Sequence, residues 1–248
     1  MKLPWLDPGE PFPPASHAWD ETEPAPGLLA AGGALDVDTL HSAYSNGIFP
    51  WFSEGQPILW WSTSPRMVLY ANELKLHRSL RKTIAKFAVD PRCEVRFDTS
   101  FAQVIRACSA SPRMGQSGTW IVPQMVQAYE RFHHAGFAHS VETWIDGKLA
   151  GGLYCIVLGR AVFGESMFTR VPDASKIALV ALCAWCRHHA IEFVDCQQNT
   201  QHLASLGARE IARDEFVAQV ARNAALPALA FEFQPVYWNQ ILPRKPPA

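Results

Sequence analysis

Apolar positions change their spacing several times along the chain, and each change predicts an element. Val37, Leu40, Ala43 and Tyr44 share one helical face, and Gly47 follows, so residues 36–45 read as a short helix. Residues 74–87 set Leu76, Leu80 and Ile84 on one side, with His77, Arg78, Arg81, Lys82 and Lys86 covering the rest. That pattern is an amphipathic helix. Positions 101, 104, 105 and 108 mark another helix, and 123–135 a third, opened by proline and closed before Gly136. The period then falls to two. Residues 139–145 alternate, Asp146-Gly147 supplies a hairpin turn, 149–158 reads as a buried strand and 161–168 returns after a turn at 159–160. The three strands form an antiparallel meander.

Residues 174–188 are almost wholly apolar, which predicts a helix buried on most sides. A short buried strand is expected at 191–196, and helices at 203–206 and 215–225. Residues 1–26 and the stretch after Pro227 are proline-rich and read as extended or irregular. Between 47 and 66, three Trp and two Phe sit among turn residues, as a loop-rich aromatic platform. The set predicts an α+β protein with a boundary near residue 64. A small N-terminal domain, 1–64, carries the proline-rich leader and Trp-rich segment, and 65–248 forms a larger domain.

Composition narrows the class. The 248 residues carry a net charge of -1, with 48% hydrophobic and 18% charged residues, a globular balance. Near-neutral charge excludes a globally basic nucleic-acid binder and leaves room for a local basic patch. No apolar run is long enough for a membrane span, and the N-terminus lacks the basic start and apolar middle of a signal peptide, so a cytoplasmic location is expected. Six Cys in a chain of this length are not a disulfide framework. A monomer is the default.

Four constellations carry chemistry. Gly164–Phe168 reads GESMF at a strand end, and simple alternation would put Glu165 and Met167 on one face. That is an apolar pocket with one carboxylate, or an ordinary strand end with Glu165 in water. Asp195 and Gln197, two apart at the end of a buried strand, would project to one side. They suit either the binding of an amine or the stabilising of a turn. The basic helix, with Arg78, Arg81, Lys82 and Lys86, fits phosphate contacts or a solvated face. Trp51, Trp60, Trp61 and Trp120 fit base stacking or core packing. Cys183-x-x-Cys186 has metal or redox spacing but lies in the apolar helix with no second pair, and neither the adjacent His133-His134 nor His188-His189 makes a ligand set, so no metal is expected. No Gly-rich phosphate loop occurs.

The stretches GLLAAGGALDVDTLHSAYSNGIFPWF, PILWWSTSPR, GTWI, HSVETW, GGLY, GESMFTR, DASKIAL, VDCQ and HLASLGA resemble the bacterial leucyl/phenylalanyl-tRNA protein transferases over roughly residues 27–213. The resemblance implies an enzyme that moves Leu, Phe or sometimes Met from aminoacyl-tRNA to the α-amine of proteins beginning with Arg or Lys, marking them for N-degron degradation. It implies a C-terminal domain similar to the GCN5-related acetyltransferases, and no cofactor beyond the charged tRNA. Carried over by position, Trp51 and Trp120 lie near the terminal adenosine, and Leu153, Met167 and Leu182 line the pocket for the transferred side chain. Glu165, Asp195 and Gln197 are polar positions at the reaction centre, and the basic helix faces the acceptor stem.

In that reading Asp195 accepts a hydrogen bond from the attacking amine or serves as its base, and Gln197 fixes Asp195 or the ester carbonyl. Glu165 holds polar groups of the aminoacyl-adenosine. The tRNA ribose hydroxyl is the rival proton carrier. Glu142 and Asp195 are candidates for reading the cationic acceptor residue. Two other classes compete. A small-molecule N-acetyltransferase lacks a seat for acetyl-CoA, because Ala174-Ser175-Lys176 stands where the pyrophosphate loop belongs. A non-catalytic RNA-binding module leaves Glu165, Asp195 and Gln197 without a task.

Overall fold

The computed structural model describes residues 2–111 and 121–242. In chain order its elements are β1 (Trp5–Leu6), β2 (Leu28–Gly32), α1 (Val37–Ser45), β3 (Phe49–Pro50), β4 (Leu59–Trp61), β5 (Arg66–Tyr70), α2 (Arg78–Phe87), β6 (Cys93–Phe97), α3 (Phe101–Ala110), α4 (Pro123–His134), β7 (Ala138–Ile145), β8 (Lys148–Leu158), β9 (Ala161–Thr169), α5 (Ala174–His188), β10 (Phe193–Gln197), α6 (Gln201–Ser205), β11 (Arg209–Ile211) and α7 (Arg213–Ala224). Short 3-10 turns occupy Ala15–His17, Ala71–Glu73 and Pro235–Gln240. The fold is mixed α/β.

The strands form two sheets. A four-stranded sheet has the order β1-β2-β4-β3, and a seven-stranded sheet the order β11-β5-β10-β9-β8-β7-β6. In the larger sheet every neighbouring pair is antiparallel except β9 and β10, which run parallel and pair only at Val194–Val162 and Asp195–Phe163. The meander β7-β8-β9 stands where the period-two pattern puts it. Its first turn uses Asp146 and Gly147 at φ 50° and 69°, the left-handed pair that a two-residue hairpin needs.

Side chains alternate between the two faces of the large sheet, and each face has its own core. One contains Val68, Tyr154, Ile156, Phe163 and Phe193, packed with α1, α3, α4, α7 and the small sheet. The other contains Met67, Leu153, Cys155, Val162 and Val194 under α5 and the C-terminal segment. The first core is continuous across residue 64, joining Phe49 and Trp60 to Phe216 and Val220. Helix α5 is buried along nearly its whole length, as its composition requires. It starts close against the sheet: a Cβ on Gly151 would lie 2.6 Å from that of Ala174.

Several elements differ from the sequence reading. The amphipathic helix begins at Arg78, not 74, because the chain before it is drawn aside by the Lys75 N–H donating to the Leu206 carbonyl at 2.8 Å. Strands β2, β5, β6 and β11 were not evident in the pattern. They are only three to five residues long, and their partners are distant in sequence. The proline-rich leader is partly structured: β1 joins β2 in parallel, and Arg213 Nη1 donates to the carbonyls of Ala15 and Ala18. The Trp-rich platform resolves into the pair β3–β4.

Candidate active site

The site forms where the β9–β10 ladder stops. Each strand carries a bulge there. On β9, Tyr154 of β8 faces Ser166 and Cys155 faces Gly164, so Glu165 is the extra residue. On β10, Asp195 faces Val68 and Gln197 faces Met67, so Cys196 is extra. Gln197 has φ 60°, a left-handed backbone.

The bulges redirect the side chains. Glu165 points to the first core, where Tyr44 of α1 donates to its Oε1 at 2.7 Å and Tyr129 of α4 reaches its Oε2 at 3.5 Å. The two tyrosine hydroxyls lie 2.5 Å apart. Met167 packs against the second core and sits opposite Leu153. Glu165 and Met167 therefore do not share a face, contrary to the alternation argument, because the bulge between them shifts the register by one residue. Gln197 closes the gap between strands: its Nε2 donates to Glu165 Oε1 at 2.8 Å.

Asp195 is fully buried and already partnered. Arg66, equally buried, donates to it side-on, Nε to Oδ1 at 2.8 Å and Nη2 to Oδ2 at 2.7 Å. Oδ1 also accepts the Gln197 backbone N–H at 2.9 Å. The guanidinium lies over Phe49 and Phe216, 4.6 and 4.5 Å from their ring centroids. This differs from an Asp195 open to an incoming amine: the carboxylate belongs to an internal ion pair, and Gln197 reaches outward from it.

Burial sets the electrostatics. It pushes Glu165 up to about 7, with the nearby Asp195 charge adding to the shift and the hydrogen bonds from Tyr44 and Gln197 opposing it. Tyr44 and Tyr129 are raised well above the usual phenol range, by burial first and then by Glu165. Both hydroxyls thus stay protonated and act as donors.

Glu142 is not available to a substrate. It is buried on β7 and accepts from the Thr99 hydroxyl, the Ser100 N–H at 2.6 Å, the Ser140 hydroxyl at 2.8 Å and Trp144 Nε1 at 2.9 Å. Four donors fill its two oxygens, so it organises the start of α3 instead.

The remaining sequence-selected residues fall in three places. Leu153 and Leu182 are buried in the second core, with Met167 partly buried against it. Trp51 is half-buried, tilted against Trp61 at 5.4 Å between centroids, whereas Trp60 is core and donates to the Gly32 carbonyl. Arg78, Arg81, Lys82 and Lys86 are all exposed on α2. Trp120 lies outside the described residues. Cys183 and Cys186 are buried, and burial pushes the Cys183 thiol up to about 12. Among the described residues no three His, Cys, Asp or Glu side chains gather as a metal site. Among the described residues no helix is long and apolar enough to cross a membrane.

Sequence reasoning missed Tyr44, Tyr129 and Arg66. Both tyrosines occupy apolar helical positions and read as core. Arg66 stands in the Ser64-Pro65-Arg66 run, where a single arginine gives no sign of its partner 129 residues away.

Sequence comparison identifies the chain as an aminoacyltransferase, an enzyme that moves an amino acid from tRNA to protein. The chain belongs to the leucyl/phenylalanyl-tRNA protein transferase family: the family model matches residues 68–221, and the model of the family's N-terminal domain matches 33–64. Leucyl/phenylalanyl-tRNA protein transferases from Polaromonas sp. (strain JS666) and Albidiferax ferrireducens are each 62% identical to it. The matches cover 99% of this chain and 96% of the first relative, and 97% and 94% for the second. The Bordetella petrii protein of that name is 57% identical over 94% of this chain and 92% of its own. A solved structure, a functionally unknown conserved protein from Staphylococcus epidermidis, aligns with TM-score 0.36 and 8% identity over 75% of this chain and 68% of that one, too distant to inform the fold.

Proposed function

We propose that the enzyme transfers Leu or Phe, and also Met, from charged tRNA to the α-amine of proteins that begin with Arg or Lys, with Gln197 as the group that receives the amine. The observation that carries this reading is the hydrogen bond from Gln197 Nε2 to Glu165 Oε1. Tyr44 donates to Glu165, and the Tyr129 hydroxyl faces both Tyr44 and Glu165 Oε2, so an ionised Glu165 is a pure acceptor and holds the amide nitrogen of Gln197. The amide oxygen of Gln197 is then turned away from Glu165 and free to accept an N–H of the attacking amine.

The chemistry asks little more of the protein. The aminoacyl ester is already activated, and an α-amine with a pKa near 7.7–8.0 is partly neutral near pH 7. The amine nitrogen bonds to the ester carbonyl carbon, the bond to the ribose oxygen breaks, and the proton lost by the amine passes to that oxygen. Orientation supplies the rate, and well-placed reactants gain up to about 7–11 kcal/mol. The engaged oxygens of Asp195 favour the ribose oxygen over Asp195 as the proton's destination.

Leu153, Met167 and Leu182 form the apolar seat for the transferred side chain, where each buried methylene contributes about 0.8 kcal/mol. Trp51, together with Trp120, stacks on the terminal adenosine, and Arg78, Arg81, Lys82 and Lys86 face the acceptor stem. Residues 1–64 form a small domain packed on 65–248 through their shared core, and the larger domain is similar to the GCN5-related acetyltransferases. The enzyme works as a monomer, with no cofactor, in the cytoplasm, where the product enters N-degron degradation.

The test mixes the protein with Phe- or Leu-charged tRNA and peptides beginning with Arg, Lys or Ala, and reads peptide mass. A gain of one Phe or Leu on the Arg and Lys peptides alone is expected. Equal gain on the Ala peptide would overturn the acceptor assignment.

A further inference from the structure

Arg66 is a buried cation at the reaction centre that no motif announces. It opens β5, the strand between β10 and β11. Three parts of the chain hold it: Asp195 of β10 by two hydrogen bonds, Phe49 of the small sheet on one ring, and Phe216 of α7 on another. Asp195 in turn accepts the Gln197 N–H at 2.9 Å. That bond spans the bulge at Cys196 and fixes Gln197 at φ 60°. From this backbone the Gln197 side chain meets Glu165 at 2.8 Å.

Stability alone does not call for such a pair. Well-packed apolar side chains of similar volume are often equal or better in an interior. What the pair adds is direction. The planar fork of Arg66 fixes the plane of the Asp195 carboxylate, and hence the point at which the Gln197 N–H binds. A lysine ammonium, a point donor, cannot fix that plane.

We propose that Arg66 is a positioning residue for aminoacyl transfer: through Asp195 it sets the Gln197 backbone, and with it the direction in which the Gln197 amide meets the attacking amine. The proposal rests on the role given to Gln197 above. It assigns Asp195 the same indirect part.

The experiment is a double-mutant cycle on the full chain, read as steady-state transfer of Phe from charged tRNA to an Arg-leading peptide. Arg66→Lys is made alone and in a Gln197→Ala background. If Arg66 acts through Gln197, Arg66→Lys lowers kcat by about 30-fold or more in the wild-type background and less than about twofold once Gln197 is absent, since residues acting as a unit are non-additive. KM for charged tRNA stays within about threefold of wild type, because the variant leaves the tRNA surface intact. An equal fold loss in both backgrounds overturns the proposal. Should thermal melting show Arg66→Lys unfolded at the assay temperature, Asp195→Asn takes its place in the same cycle, keeping the shape and one acceptor oxygen. Wild-type transfer rates in Gln197→Ala would sink the role of Gln197, and the proposal with it. A slow Gln197→Ala with an undiminished Arg66 effect sinks positioning alone.

Discussion

Glu165 and Gln197 stand on the two parallel strands of the large sheet just past the end of their ladder, and a 2.8 Å hydrogen bond joins them there. The β9–β10 ladder has ended there, so this contact, together with the Asp195 bond to the Gln197 N–H, sets the direction of the Gln197 amide. Gln197→Ala is therefore expected to lower kcat for peptide transfer by about 100-fold, the usual loss for one oriented hydrogen-bonding group at a reaction centre. Binding of charged tRNA should be unchanged, since the substitution leaves the exposed cations of α2 in place. Steady-state kinetics with an Arg-leading peptide check both quantities. A kcat within threefold of wild type, roughly 0.65 kcal/mol, would leave Gln197 without a part in the reaction.

The same pair gives stability an unusual pH dependence. Burial raises Glu165 from 4.5 to about 7 in the folded protein. Between those values the native state holds a proton that the unfolded chain has released, so stability falls as pH rises through this window. At 1.36 kcal/mol per pKa unit the loss attributable to Glu165 is at most about 3 kcal/mol, complete once pH exceeds the folded value. Glu165→Gln cannot ionise. Chemical denaturation at pH 5, 6, 7 and 8 should show wild type losing ground to the variant across the series. A constant difference between the two would contradict the burial argument.

How far the sequence foretold this centre depends on which interactions are local. The meander and the helices of 174–188 and 123–134 follow from side-chain period, and the structure forms them. Glu165, Asp195 and Gln197 were legible as polar residues at strand ends. Their directions were not, because each strand carries a bulge, and one inserted residue reverses every face beyond it. Arg66, Tyr44 and Tyr129 were hidden for another reason. Their partners lie 129, 121 and 36 residues away, and no spacing rule connects positions that only the tertiary fold brings together. Glu142 shows the opposite error, an acidic residue in a matched motif whose oxygens the protein itself has filled.

The apolar seat should be separable into packing and selectivity. Leu182 is wholly buried, so Leu182→Ala is expected to cost about 2–5 kcal/mol of stability. Met167 is only partly buried and sits opposite Leu153 at the site's edge. Met167→Ala should cost less stability and enlarge the seat, raising the Phe-to-Leu ratio of kcat/KM by about tenfold, within the range that small volume changes in apolar pockets produce. Competition between Phe- and Leu-charged tRNA reads the ratio directly. An unchanged ratio with a normal melting curve would move the seat elsewhere.

Helix α2 presents Arg78, Arg81, Lys82 and Lys86 to solvent, while Leu80, Ile84 and Phe87 anchor its other face. Neutralising exposed cations should leave the fold alone, since surface charges far from any partner rarely shift stability by more than about 0.5 kcal/mol. Binding is different. Each phosphate contact releases condensed counterion and adds slightly less than one unit to the salt slope of log K. Arg81→Gln with Lys82→Gln should therefore weaken binding of charged tRNA at low salt and flatten the slope by about 1.5 units. At saturating tRNA, kcat should stay at the wild-type value, because the proposed transfer site lies on the large sheet and not on this helix. Titrations at several salt concentrations supply affinity and slope together. A double variant with wild-type slope and affinity would show that the acceptor stem lies on another face of the protein.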